Sequence, residues 1–220
     1  MISISFRRIV WDDIWPAGLL ATAAGFVDAV GYLASGVFAA NMTGNTVLAG
    51  LSLAQGHWQV AVQRGTTLGA FFLGAMIGSL ILRVARRHNA APISLEAALI
   101  LLAAFIEPSA FLAILIIACA MGIQATALTR FRQATASTVV ITSTIARLAE
   151  YALALAIDRR EAKAQASKLA PPILATTWAC YALGAVVAVG ALDLMKRPLF
   201  VPATLLAIVA LFVLLKNREM

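Results

Sequence analysis

Residues 38–50, FAANMTGNTVLAG, interrupt an otherwise apolar part of the chain with polar groups. The apolar run directly before them carries one carboxylate, Asp28. Backbone that leaves helical geometry inside a bilayer loses its hydrogen-bond partners, so it survives only where it is buried in protein or faces water. The stretch therefore predicts a broken membrane helix that lines a polar cavity. The alternative is an interfacial helix or loop in which TGN is a simple N-cap.

The composition is that of an integral membrane protein, with the lipid bilayer as its main partner. Hydrophobic residues make up 62% of the chain and charged residues 12%, against about 25% charged in soluble proteins. The net charge of +7 comes from basic residues in short loops, which is typical of membrane topology and does not indicate nucleic-acid binding. Cys119 and Cys180 lie in apolar runs without His at ligand spacing, so no metal site or disulfide is expected.

Apolar runs of about 20 residues are long enough to cross a bilayer. Six runs qualify, at about residues 16–35, 65–83, 92–106, 110–129, 171–192 and 198–215. Two more, about residues 38–56 and 137–157, are apolar but interrupted by polar groups. Whether these two span, re-enter or lie at the interface decides the topology.

The basic residues favour one of two topologies. If both interrupted stretches cross, the chain has eight spans, and its lysines and arginines divide almost evenly between the two sides. If both dip in and return on the same side, about six spans remain. Five arginines then join the cytoplasmic side, namely Arg83, Arg86, Arg87, Arg130 and Arg132. Because basic loops stay cytoplasmic, we favour the second topology, with both termini cytoplasmic.

The chain also repeats itself. TTLGAFFLGA at 66–75 matches TTWACYALGA at 176–185, and EAALILLAAF at 96–105 matches ATLLAIVALF at 203–212. Weaker matches relate AGFVDA to MGIQAT and MTGNTVLAGL to ITSTIARLAE. Each half therefore has the order span, interrupted segment, span, span.

These matches divide one membrane domain, residues 1–220, into two repeats. Repeat one covers about residues 15–106 and repeat two about residues 110–216. An odd number of full spans per repeat places the second upside down relative to the first. The predicted fold is thus all-α, with about six transmembrane helices in two inverted repeats, each with a broken or re-entrant helix whose tip nears the midplane.

The first polar turn supplies most of the predicted binding site. Gly44 permits unusual backbone angles, and Asn41, Thr43 and Asn45 can cap a helix that begins near Thr46. The positive end of that helix dipole would point at whatever lies at the tip.

The corresponding turn of repeat two contributes Thr142 and Thr144. Arg147 and Glu150 follow it three residues apart, on one helix face where they can pair. They form either a solvated patch near the cytoplasmic interface or a neutralised pair beside the cavity. Arg147 is also a candidate countercharge for an anionic solute or for Asp28.

Asp28 should face protein or water, because a carboxylate at that depth costs about 3 kcal/mol on insertion. It is either a proton- or cation-responsive group or a structural hydrogen-bond acceptor, for which Asn45 and Thr43 are the candidate donors. Gln124 occupies the comparable place in repeat two. A symmetric site would then combine one titratable and one neutral polar group.

Pairs of small residues four positions apart predict close helix packing, with homo-oligomer formation as the second interpretation. They are Gly65, Gly69, Gly74 and Gly78 in repeat one, and Gly184 with Ala188 in repeat two.

These patterns predict a small-solute transporter or channel, with a polar solute or a proton as its ligand. The alternative is a non-transporting scaffold or sensor in which the same groups lock the bundle. Paired catalytic carboxylates, a nucleophile elbow, a metal-binding His motif and a phosphate loop are all missing from the sequence. We therefore expect no enzyme activity and no cofactor.

Three stretches resemble one known family. GFVDAVGYL, FAANMTGNTVLAGLSLA and MGIQATAL are similar to the YoaK-like family of bacterial inner-membrane proteins, a domain of unknown function of about this length. The most specific elements are Gly-x-x-Asp-Ala and Asn-x-Thr-Gly-Asn, here Gly25, Asp28, Ala29, Asn41, Thr43, Gly44 and Asn45. The resemblance implies a multi-pass protein of the bacterial inner membrane, sometimes described as a permease, without a settled substrate. ITST in repeat two departs from the Thr-Gly often found there.

Overall fold

The computed structural model describes residues 2–84, 90–107, 110–128, 141–157 and 171–218. Eight helices and no strand lie within these ranges, so the predicted all-α class is confirmed for the described residues. The helices are α1 Ile2–Ser35, α2 Met42–Ala54, α3 Trp58–Val84, α4 Ala90–Ala103, α5 Phe111–Leu128, α6 Ile141–Ile157, α7 Pro171–Leu194 and α8 Phe200–Arg218.

Within the described ranges, three helices are long and apolar enough to cross a bilayer by themselves: Ile14–Ser35 within α1, all of α3, and all of α7. The other predicted spans form shorter apolar helices, Ala90–Ala103, Phe111–Ala127 and Phe200–Lys216. Each of the six predicted runs therefore contains a helix. The 14 residues of α4 rise about 21 Å, less than the roughly 30 Å hydrocarbon core.

Helix α1 packs closely along α7. A methyl group at Gly25 would lie 2.0 Å from the carbonyl oxygen of Tyr181, and one at Gly184 would lie 2.1 Å from that of Thr22. The two backbones therefore touch at positions where only glycine fits. Gly18 lies against Thr176 and Cys180, so contacts advance together along both chains and the helices run parallel.

Helix α3 packs along α5 in the same manner. A methyl group at Gly74 would lie 1.9 Å from the carbonyl oxygen of Cys119, and one at Gly122 would lie 2.1 Å from that of Phe71. Both close helix pairs thus join a helix from the first half of the chain to one from the second. The packing role predicted for Gly74, Gly78 and Gly184 is confirmed.

The other two glycines of the spacing pattern behave differently. Gly65 and Gly69 are exposed, and no described atom lies within 4 Å of a methyl group built at either position.

The core lies where α4 and α8 pack between the two pairs. Helix α4 contacts α8 and α5, and α8 also contacts α1, where the rings of Trp15 and Phe212 meet edge to face at 4.4 Å. Phe26, Ile100, Ile117 and Leu206 are fully buried in this core. The outer surface carries many large apolar side chains, including Phe72, Val186 and Leu211, as expected for helices that face lipid.

Candidate functional site

Helix α1 ends in a sharp reversal at Gly36. The amide of Gly36 donates a hydrogen bond to the Tyr32 carbonyl at 2.8 Å, and its φ of +68° lies in the left-handed region that favours glycine. Residues 37–40 then pass back alongside α1. The approach is close: a methyl group at Gly31 would lie 2.7 Å from the Val37 carbonyl oxygen. We call residues 36–55 the Asp28 hairpin.

Asp28 anchors the tip of this hairpin. Its side chain is 3% exposed. One carboxylate oxygen, Oδ1, accepts the backbone amides of Ala40 at 2.5 Å and Asn41 at 3.1 Å. The other, Oδ2, accepts the hydroxyl of Tyr181 on α7. The donors differ from the predicted Asn45 and Thr43, because the freed backbone amides lie closer to the carboxylate than those side chains do.

Asn45 satisfies the backbone of the returning segment. Its Oδ1 accepts the amide of Phe38 at 3.0 Å, while its Nδ2 donates to the carbonyl of the same residue at 2.7 Å. Asn45 is fully buried, so this side chain supplies both partners that Phe38 would otherwise lack away from water.

The start of α2 confirms one predicted cap and corrects two. Asn41 is the N-cap, and its Oδ1 accepts the amide of Gly44 at 3.0 Å. The helix therefore begins at Met42 rather than near Thr46. Thr43 is exposed, and Asn45 bonds to Phe38 instead of capping.

Gly44 is helical rather than unusual in its backbone, because the reversal takes place at Gly36. A larger residue at position 44 would crowd the ring of Phe38, since a methyl group at Gly44 would lie 3.0 Å from that ring.

Arg64 closes the hairpin from α3. Its Nη1 donates to the Leu48 carbonyl at 3.0 Å and to the Ser52 hydroxyl at 2.5 Å, and its Nη2 donates to the Gly36 carbonyl at 3.2 Å. One guanidinium therefore joins the end of α1, the middle of α2 and the second turn of α3.

We expect Arg64→Met to lower the melting temperature in detergent, because it leaves two partly buried carbonyls without their charged donor, at a cost of about 2–3 kcal/mol. Differential scanning fluorimetry measures the shift. Arg83→Met is the matched control, since Arg83 is exposed near the other end of the same helix. Equal melting temperatures for the two variants would show that the guanidinium does not hold the hairpin.

The structure does not bring Gln124 to Asp28. The Gln124 amide donates from α5 to the Leu20 carbonyl at 3.2 Å. Leu20 precedes Asp28 by eight residues, or about 12 Å along α1. This bond of Gln124 thus joins α5 to α1 about two turns before Asp28.

Helix α6 carries the remaining predicted site residues and packs on α7. Thr144 is buried, Arg147 is half-buried, and Thr142 and Glu150 are exposed. Residues 137–140, the beginning of the predicted interrupted stretch, lie outside the described residues. Among the described residues, no group of three or more His, Cys, Asp or Glu could hold a metal ion.

Three polar residues at buried contacts were not singled out by the sequence patterns. Tyr181 and Arg64 bond to the hairpin, and Glu96 lies fully buried in α4. A charge within an apolar run is a signal that could have found Glu96, as it found Asp28. No comparable signal marks Tyr181.

Comparison with known proteins assigns the chain to a family. A family described as Protein of unknown function (DUF1275) matches residues 17–212, which include the Asp28 hairpin and both close helix pairs. The chain belongs to this family.

A relative, UPF0700 transmembrane protein YoaK of Bacillus subtilis (strain 168), is 36% identical over 145 residues. The match covers 60% of this chain and 64% of the Bacillus protein, less than two thirds of that relative. No solved structure matches the chain. The YoaK-like resemblance is thus confirmed, and the chain is a membrane protein.

Proposed function

We propose that the chain is a small-solute transporter or channel of the bacterial inner membrane, with a polar site at the tip of the Asp28 hairpin. The observation that carries the proposal is the position of that tip. Asp28 lies seven residues, or about 10 Å, before the end of α1 and accepts the amides that precede α2. Half-helices that begin inside the bilayer and aim their positive ends at a central site are typical of transporters.

The contact between Arg64 and Gly36 supports the re-entrant topology with six crossings. It places the end of α1 beside the second turn of α3, so the two helices leave from the same side. In an eight-span chain α2 would cross between them and separate these residues by roughly 30 Å of hydrocarbon.

The glycine contacts support the inverted repeat. An offset of 97 residues carries α1 onto α5, and one of 110 residues carries α3 onto α7. Under these offsets the close contacts of one pair become those of the other. Gly25 with Tyr181 corresponds to Gly122 with Phe71, and Gly184 with Thr22 corresponds to Gly74 with Cys119. A pseudo-two-fold axis between the halves produces such a correspondence.

The topology has its own test in cysteine labelling of intact cells. In a variant with Cys119 and Cys180 replaced by alanine, we expect Gln55→Cys to react with a membrane-impermeant maleimide added outside. Arg83→Cys should react only after permeabilisation, since basic loops stay cytoplasmic. Both positions are exposed. Labelling of Arg83→Cys from outside would reverse the assignment and remove the basis of the re-entrant topology.

Reconstitution tests transport directly. Light scattering of proteoliposomes after an osmotic step reports permeation of small polar solutes such as glycerol, urea and glycine, and an enclosed pH dye reports proton flux. We expect faster permeation than in protein-free vesicles for at least one probe, and a changed rate in Asp28→Asn. Thr46→Ala is the control, because Thr46 is exposed and bonds only within α2. An unchanged rate in Asp28→Asn would remove Asp28 from the pathway.

One observation favours the second candidate, a membrane scaffold. Both oxygens of Asp28 and both polar atoms of the Asn45 amide already have protein partners, as in a structural lock. A scaffold requires Asp28→Asn to lower thermal stability while every probe permeates at the protein-free rate.

A further inference from the structure

Helix α4 carries a carboxyl group into the apolar core. Glu96 is fully buried, and neither carboxylate oxygen has a hydrogen-bond partner among the described residues. Ile93, Ile100 and Ala103 share its buried face of the helix. This is the opposite of Asp28, whose oxygens accept three hydrogen bonds.

The helices around α4 offer few charged groups. On α8 and α5, which pack against it, the described ionisable side chains are Lys216 and Cys119; α3, which touches it slightly, carries Arg64 and Arg83. None of these four bonds to the Glu96 carboxyl.

The register of α4 on α8 shows which residue lies level with Glu96. The rings of Phe105, just after the end of α4, and Phe200, at the start of α8, meet at 5.5 Å, so the helices run antiparallel. Nine residues back from Phe105 is Glu96, and nine residues on from Phe200 is Val209, which is fully buried. Lys216 lies a further seven residues, or about 10 Å, along α8.

An ionised carboxylate in such surroundings costs far more than a neutral acid, because nothing replaces the water that it loses. Helices α4 and α8 are also the pair that the internal match relates to each other, so their contact lies where the two halves meet. A movement of one half against the other would change the surroundings of Glu96 directly.

From this burial and position we propose that Glu96 is a proton-binding site at the junction of the two halves, and that its proton is the coupling ion. The coupling part rests on the proposed transport function. In the conformation described, Glu96 holds the proton. Release requires a conformation in which water reaches α4.

Infrared spectroscopy of the full-length protein in lipid tests proton binding without any substrate. We expect the carbonyl stretch of a protonated carboxylic acid at neutral pH in the wild type, and its loss in Glu96→Gln. Glu107→Gln is the matched control, because Glu107 is exposed, and it should keep the band. Glu96→Met is a second variant if the glutamine protein does not elute as folded material. If the carbonyl-stretch region of both Glu96 variants is the same as that of the wild type, the proposal is overturned.

Solute uptake tests the coupling. For the probe that permeates wild-type vesicles, we expect an imposed pH gradient to raise uptake in the wild type, while in Glu96→Gln the ratio of uptake with and without the gradient falls to one. A gradient response that survives in Glu96→Gln would overturn coupling through Glu96. A wild type that moves no probe would instead contradict the proposed transport function, and the infrared band would still decide whether Glu96 binds a proton.

Discussion

Gly184→Ala is expected to destabilise the protein strongly. The added methyl group would lie 2.1 Å from the Thr22 carbonyl oxygen, so α1 and α7 must move apart along a contact that is backbone against backbone. Overpacking of this kind costs about 1–3 kcal/mol, and more where backbone cannot yield. We expect a melting temperature lower by several degrees and a larger fraction of aggregate in size-exclusion chromatography.

Gly190→Ala is the matched control on the same helix, because no described atom lies within 4 Å of the added methyl group. Alanine is also the better helix former by about 1 kcal/mol, so this variant should be at least as stable as the wild type. If both substitutions have the same effect, helix propensity rather than the helix contact determines the result.

Asp28→Leu is also expected to lower the stability of the fold strongly. It leaves the amides of Ala40 and Asn41 and the hydroxyl of Tyr181 without their acceptor, and each unpaired buried group costs about 1–3 kcal/mol. The melting temperature in detergent should fall well below that of Tyr181→Phe, which removes a single donor.

Asp193→Leu controls for the loss of a carboxylate on a membrane helix, because Asp193 is exposed on α7. A double-mutant cycle between Asp28→Asn and Tyr181→Phe measures the coupling across the two helices. Additive effects of these two substitutions would mean that the hydrogen bond between them does not stabilise the fold.

The sequence predicts the helices well because apolar length is a local property. All six predicted apolar runs became helices, and the polar turn at Asn41 begins a short helix. Asp28 also stood out, since a charge in an apolar run is visible without any knowledge of its partners. The predicted start of α2 near Thr46 was wrong, because the sequence offers two glycines, Gly36 and Gly44, at which the chain could reverse. Only the backbone angles show that the reversal takes place at Gly36 and that Asn41 caps the helix.

Partners distant in the chain could not be predicted in this way. Tyr181 follows Asp28 by 153 residues. The sequence of an apolar helix with one tyrosine does not indicate which residue that tyrosine bonds to. The glycine pattern has a related limit: Gly69 and Gly74 both fit the spacing, but a step of five residues turns the helix by about 140° relative to the first face. Which face meets another helix depends on packing, and only Gly74 meets one.

The pairing of α1 with α7 has a consequence for biogenesis. When α1 leaves the ribosome, the helix that will cover Gly25 and donate to Asp28 has not been synthesised, since Tyr181 and Gly184 lie near the end of the chain. The first half of the chain is therefore synthesised with the contact surface at Gly25 uncovered and the carboxylate of Asp28 without its donor Tyr181. Two fragments divided between α4 and α5 would accordingly need to be co-expressed, since neither contains both members of a close helix pair.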